Sequence, residues 1–181
     1  MSVDGETLLR QFAKGKRDFQ GMALVQASLN KADLSAINWV DADLYKCDLS
    51  ESTLNEACFQ GAKLRRVDFS RASLSRAVLT GADLREADMS DADLYQANLT
   101  DANLSGADLI NASLEDADLR GANLCDAILL GADLSNANLQ GAQLNGAELE
   151  GATFENTTMP DGSIRDEPYE KSGLSVTTAS G

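Results

Sequence analysis

The 181 residues carry 29 acidic and 15 basic side chains, a formal charge of −14, and no histidine. That length suffices for one domain with a sizeable core. The charge argues against nonspecific contact with nucleic acid or an anionic membrane and suggests that a charged partner is basic. The missing histidine removes the commonest general base and the commonest metal ligand.

Met1 to Glu6 include two acids and no basic stretch leading into an apolar run. This reads as no secretory signal, and no run approaches the length of a membrane span. Cys47, Cys58 and Cys125 are odd in number and lack metal-type spacing, so they read as free thiols in a reducing cytoplasm. Residues 5–14 predict a short amphipathic helix with Leu8, Leu9 and Phe12 on its apolar face. Asp4 or Thr7 would cap its start and Gly15 would stop it. Residues 1–16 are thus expected to be an N-terminal helical cap on the body of the chain, which begins at residue 17.

From Phe19 onward a large apolar residue falls on every fifth position: Phe19, Leu24, Leu29, Leu34, Trp39, Leu44, and so on without a slip to Phe154. Two residues before each from Leu29 onward sits a small or apolar one, alanine without exception from Ala72 to Ala152; Ile37, Cys47, Ser52 and Val67 are the departures before that. On an α-helix, successive large residues would step by about 140° and form no stripe. On an extended chain, residues two apart face the same way, so the small and large residues point inward together. The residue between them faces out, and the next two must turn the chain. Asp, Asn, Ser, Thr, Arg and Gly fill these outward places, as exposed turns prefer. Gly21, Gly61, Gly81, Gly121 and Gly141 fall on the second turn position, where a positive φ is needed.

The segments "ADLRE", "ANLTD", "ANLSG", "ADLRG" and "ANLQG" resemble the A(D/N)LXX pattern of the pentapeptide-repeat family, most like its cyanobacterial members. The resemblance covers residues 17–156. It implies an all-β fold, a right-handed quadrilateral parallel β-helix with four repeats per coil, hence about seven coils. At about 4.8 Å per coil the rod would be roughly 34 Å long. Residues 157–165, with the turn signal "MPDG", are expected to cap the far end, and 166–181 to form a flexible tail. Met159, Ile164, Tyr169 and Leu174 keep the five-residue phase, which leaves a ragged eighth coil open.

No catalytic, cofactor or metal site is expected. A 20-residue spacing stacks Asp48, Asp68, Asp88 and Asp108 in one outward column about 4.8 Å apart. Such a column has the look of a cation ladder, but Asx side chains commonly bond nearby turn amides, and the glycine-rich calcium-binding repeat is absent. An ice-binding face would need regular threonine columns, of which Thr80 with Thr100 is too little. Phe19, Trp39 and Phe59 share an inward column and read as stacked core.

Two outward patches stand out as candidate protein-binding surfaces. One carries Val25, Tyr45, Arg65 and Arg85 on the first turn position, with Lys46 and Arg66 beside them; a tyrosine among arginines has the composition of an interface hot spot. The alternative is a solvated basic face balancing Asp43, Asp83 and Glu86. The other patch stacks Ile110 with Leu130, with Ile128 adjacent, on positions usually polar, and exposed aliphatics in a cluster suggest contact with a partner or a second copy. An end of the rod, or the Ile110/Leu130 patch, would serve a homodimer.

Charge is polarised along the chain, near +1 up to residue 85 and −15 from Glu86 onward. Over the length of rod involved, roughly 17 Å, B-DNA carries about ten charges. Two functions are consistent with these features. The first is a non-enzymatic, cytoplasmic scaffold or regulator that binds another protein through one face, without direct contact with nucleic acid or membrane. The heterocyst-differentiation regulators that this resemblance brings in work by binding another regulatory protein. The second is an acidic DNA mimic that occupies a DNA-binding enzyme such as a gyrase-type topoisomerase, as the gyrase-protecting members of the family are thought to do.

Overall fold

The computed structural model describes residues 4–167. From Asp18 to Thr158 the backbone pairs with itself in parallel at one constant offset: Asp18 with Asn38, Ala23 with Asp43, and onward to Asn138 with Thr158. Twenty residues therefore make one coil, with four sides and four corners. In the first coil, side A carries Phe19, side B Leu24, side C Leu29 and side D Leu34. Each side contributes a single bridged residue, the outward one between the small and the large. The expected all-β helix is thus built of isolated bridges rather than extended strands.

The backbone groups are satisfied in both directions along the rod. Leu44 N–H donates to Lys63 C=O above at 2.9 Å, and Asp43 N–H donates to Met22 C=O below at 2.8 Å. The corner closes when Cys47 N–H donates to Leu44 C=O at 3.0 Å, and its second residue, Lys46, donates upward to Arg65 C=O at 3.2 Å. Every second corner residue from Gly21 to Asn156 has a positive φ. Nineteen of these are not glycine, and their φ lies between 52° and 60°. The conformation costs a non-glycine residue about 1–2 kcal/mol, yet Lys46, Arg66 and Glu86 all adopt it. The turn bond and the bond to the next coil hold them there.

The interior follows the five-residue phase. No inward residue from Ile37 to Leu139 is more than 1% exposed. The Trp39 and Phe59 rings lie 5.4 Å apart, and Phe59 meets Phe69 edge-on at 5.7 Å. The departures from alanine find partners: Cys47 Sγ–H donates to Leu24 C=O at 2.6 Å and Ser52 Oγ–H to Leu49 C=O at 2.5 Å. Trp39 Nε1–H is buried without a hydrogen-bond partner among the described residues.

Helix α1 (Gly5–Ala13) starts where the Asp4 carboxylate accepts from Thr7 N–H at 2.7 Å, so Asp4 and not Thr7 is the cap. It ends in a Schellman turn: Lys16 N–H donates to Gln11 C=O at 3.2 Å and Gly15 N–H to Phe12 C=O at 2.9 Å, with Gly15 at φ 93°. The helix lies on the first coil. Leu8 is fully buried, Leu9 and Phe12 pack beside it, and a Cβ on Gly5 would stand 2.9 Å from the Ser28 carbonyl oxygen.

At the other end β1 (Thr157–Thr158) begins an eighth turn of side A, and β2 (Ile164–Arg165) pairs with it antiparallel. The Arg165 guanidinium lies 4.9 Å from the Phe154 ring centre. This reversal ends the phase at Met159, which is buried; Ile164 keeps the spacing in sequence but stands 56% exposed. Asp166 accepts from Asn156 N–H at 2.9 Å. Tyr169, Leu174 and the tail beyond Glu167 lie outside the described residues.

Candidate protein-binding surface

The outward residue of each side does local work before it can do anything else. Ser50, Ser70 and Ser90 N–H donate to Asp48, Asp68 and Asp88 at 3.1, 2.9 and 3.0 Å, and Ile110 N–H to Asp108 at 2.9 Å. The three serine hydroxyls donate to the same oxygens at 2.6 Å. The aspartate column is therefore a stack of Asx turns, each clasping its own corner. Asn38, Asn98 and Asn123 do the same for Val40, Thr100 and Cys125, which explains why the repeat takes Asp or Asn there. No group of three or more His, Cys, Asp or Glu among the described residues is placed to hold a metal ion.

The basic candidates come together on side B and the corner after it, but paired with acid. Arg65 and Arg66 both clasp Glu86, Arg65 Nε at 3.1 Å and Arg66 Nε at 2.7 Å. Arg85 grips Asp83 through Nε and Nη2 at 2.7 and 2.6 Å. The bonds from Arg65, then Arg66, hold the Glu86 carboxyl below its ordinary pKa, and Arg85 does so for Asp83. Lys46 Nζ stands 5.4 Å from the centre of the half-buried Tyr45 ring. The arrangement is the solvated, balanced face: the three arginines are already engaged, and exposed pairs of this kind contribute little.

The apolar candidates also come together, on side C and the corner after it. Leu130 lies above Ile110, and Ile128 is bridged to Asp108 below and Glu148 above. All three are half-buried rather than fully exposed, because neighbouring coils flank them closely; Val25 and Ile164 are the strongly exposed large apolar residues. Ile128 interrupts the aspartate column, so the Leu130 N–H has no capping partner among the described residues. Sequence reading missed a second apolar pair, Cys58 bridged to Val78 on side A, both half-buried. The same column-by-column comparison would have found it, since Asn and Asp dominate that column elsewhere.

Acidic charge is uneven around the rod as well as along it. Of the fourteen acids between Glu86 and Glu155, only Glu86, Asp101, Asp118 and Asp126 lie on sides A and B or the corners after them. Two of those four are engaged, Glu86 as above and Asp118 by Arg120 at 2.6 Å. The other ten occupy sides C and D and their corners. Acids thus lie on all four faces, most of them on sides C and D.

A sealed, register-locked rod whose coils repeat every twenty residues defines a β-helical repeat solenoid. Matches to the family model for pentapeptide repeats, in eight copies, run from residue 27 to residue 156, and the chain belongs to that family, whose fold is the right-handed β-helix and whose members are generally structural or protein-binding. Among solved structures it is similar to a trypsin-treated variant of QnrB1, a plasmid-mediated fluoroquinolone resistance protein, at 23% identity and TM-score 0.73 over 80% of this chain and 76% of that one. It is also similar to HetL, a pentapeptide repeat protein involved in heterocyst differentiation regulation from the cyanobacterium Nostoc sp. strain PCC 7120, at 30% identity over 90% of this chain and 100% of that one, with TM-score 0.41. A search of curated proteins returns no match. No helix among the described residues is long and apolar enough to cross a membrane.

Proposed function

We propose that the chain is a non-enzymatic scaffold or regulator that binds another protein through sides C and D of its β-helix, centred on Ile110, Ile128 and Leu130. One observation carries the reading. Along that face the columns run Ser50, Ser70, Ser90 and Asp48, Asp68, Asp88, Asp108, and then turn aliphatic together at Ile110, Leu130 and Ile128. At Ile128 the change removes an Asx cap, a local sacrifice that the fold does not require. The test is a pull-down with the whole chain and with Ile110→Ser plus Leu130→Ser, which restores the serine of the lower coils. Loss of the partner with circular dichroism unchanged is expected; retention of the partner by the double variant would refute the assignment.

The clustering of ten acids on sides C and D favours DNA mimicry as the second reading, because roughly 17 Å of B-DNA carries about ten charges. The two are separated by salt. A partner held by mimicry would be a DNA-binding enzyme lost steeply between low and moderate salt, whereas one held by the aliphatic spot would be retained.

A further inference from the structure

Asn145 and Gly146 form the one Asn–Gly pair in the chain. They occupy the corner after side B of the seventh coil, and both are exposed. At the corner directly beneath, the peptide bond is held twice: Cys125 C=O accepts from Gly106 N–H at 3.0 Å, and Asp126 N–H donates to Asn145 C=O at 2.9 Å. At the Asn145–Gly146 peptide only the carbonyl bond survives. Gly146 N–H, which would donate to an overlying coil, has no partner among the described residues, and neither has the Asn145 carboxamide. Gly146 has φ 74° and no Cβ to crowd an approach from the preceding side chain.

We propose that Asn145 is a site of spontaneous deamidation through a succinimide. The Gly146 amide nitrogen gives up its proton and attacks Asn145 Cγ. The N–Cγ bond forms, the Cγ–Nδ2 bond breaks, and ammonia leaves with the proton. Water then opens the ring at either carbonyl. One opening gives aspartate; the other gives isoaspartate, with the main chain running through the former side chain. No oxidant or reductant takes part. Ring closure needs the 145–146 peptide to rotate, and one backbone bond holds it, against two at the Asn55–Glu56 peptide, where Asn55 C=O accepts from Ala36 N–H at 2.9 Å and Glu56 N–H donates to Ser75 C=O at 3.0 Å. The product matters to the surface: a new carboxylate appears at the corner where the Asp126 carboxylate already lies against Gly146, and isoaspartate lengthens the backbone by one atom, which breaks the five-residue phase of the seventh coil.

The test is to age the full chain at physiological temperature and mildly alkaline pH, then digest it and follow each asparagine peptide by mass spectrometry. Asn103 and Asn123 are the internal references, since the amides after them, Leu104 and Leu124 N–H, donate to the next coil at 2.7 and 2.8 Å. The Asn145 peptide is expected to convert from amide to acid at least about fivefold faster than either, the factor that corresponds to about 1 kcal/mol of barrier. It should resolve into aspartate and isoaspartate forms, and Asn145→Gln should abolish the change. Conversion no faster than at Asn103 and Asn123, or aspartate without isoaspartate, would overturn the proposal.

Discussion

Ile128→Asn separates the surface role of this residue from its structural one. Five outward asparagines, Asn38, Asn98, Asn103, Asn123 and Asn138, accept from the N–H two residues on at 3.0–3.1 Å. An asparagine at 128 would do the same for Leu130, a gain of about 1 kcal/mol. Against this, a half-buried isoleucine is lost. Full burial of such a side chain is worth about 1.5–3 kcal/mol, so half of it is about 1 kcal/mol. The two changes offset, and urea unfolding followed by circular dichroism should place the variant within about 1 kcal/mol of the parent. Binding should behave differently, because the aliphatic cluster is broken at its centre: the partner recovered by the parent should be lost. A variant that keeps both its stability and its partner would remove Ile128 from the interface. A loss well above 1 kcal/mol would show that the missing cap is not available to asparagine.

Trp39→Phe should lose less than about 1 kcal/mol, or gain, in urea melts, because relief of a buried unpaired N–H is worth about 1–3 kcal/mol and offsets the packing of the smaller ring; a loss above about 2 kcal/mol would refute this. Burial pushes the Cys47 thiol up to about 11. A thiol raised on folding keeps its proton while the unfolded chain ionises, so this contribution is intact below about pH 9 and is lost as pH rises toward 11. Alkylation at neutral pH should accordingly label Cys58 and Cys125 first and Cys47 only on unfolding, and Cys47→Ala, which restores the usual small residue, should remove that part of the alkaline destabilisation. Leu8→Glu should free α1 from the first coil and cause concentration-dependent light scattering, since an uncovered β-helix edge recruits other chains. Arg65→Glu plus Arg85→Glu should leave recovery of the partner unchanged, because those guanidinium groups already serve Glu86 and Asp83; a changed pull-down would return the basic face to consideration.

The coil was legible because its period is incompatible with a helix and each inward residue sits in an unbroken phase from Phe19 to Met159. The end of that phase was not, since Ile164 keeps the spacing and only the reversal into β2 turns it outward. The corners were half legible. Gly21 and Gly81 announce a positive φ, but nothing about Arg66 or Glu86 does, because their conformation is imposed by hydrogen bonds to a coil still 19 residues away in sequence. The surface was the least legible. Columns placed Arg65, Arg66 and Glu86 near one another, but whether the arginines face a partner or grip Glu86 depends on side-chain geometry across a corner.

The corners carry a consequence for length. A lysine or glutamate can hold its left-handed bend only once the coil above has been laid down, so most of the rod is written in residues that rely on continuation. Above corners B and C of the seventh coil nothing among the described residues continues, and there the chain places Gly146 and Gly151, which bend unaided; Asn156, the last bend, is tied instead by the Asp166 carboxylate. Glycine there needs no coil above it, although Gly61, Gly81 and Gly106 take the same position at corners that are covered. Replacing Gly146 and Gly151 with lysine would ask each for a left-handed bend that no described coil supports, at a cost of about 1–2 kcal/mol apiece.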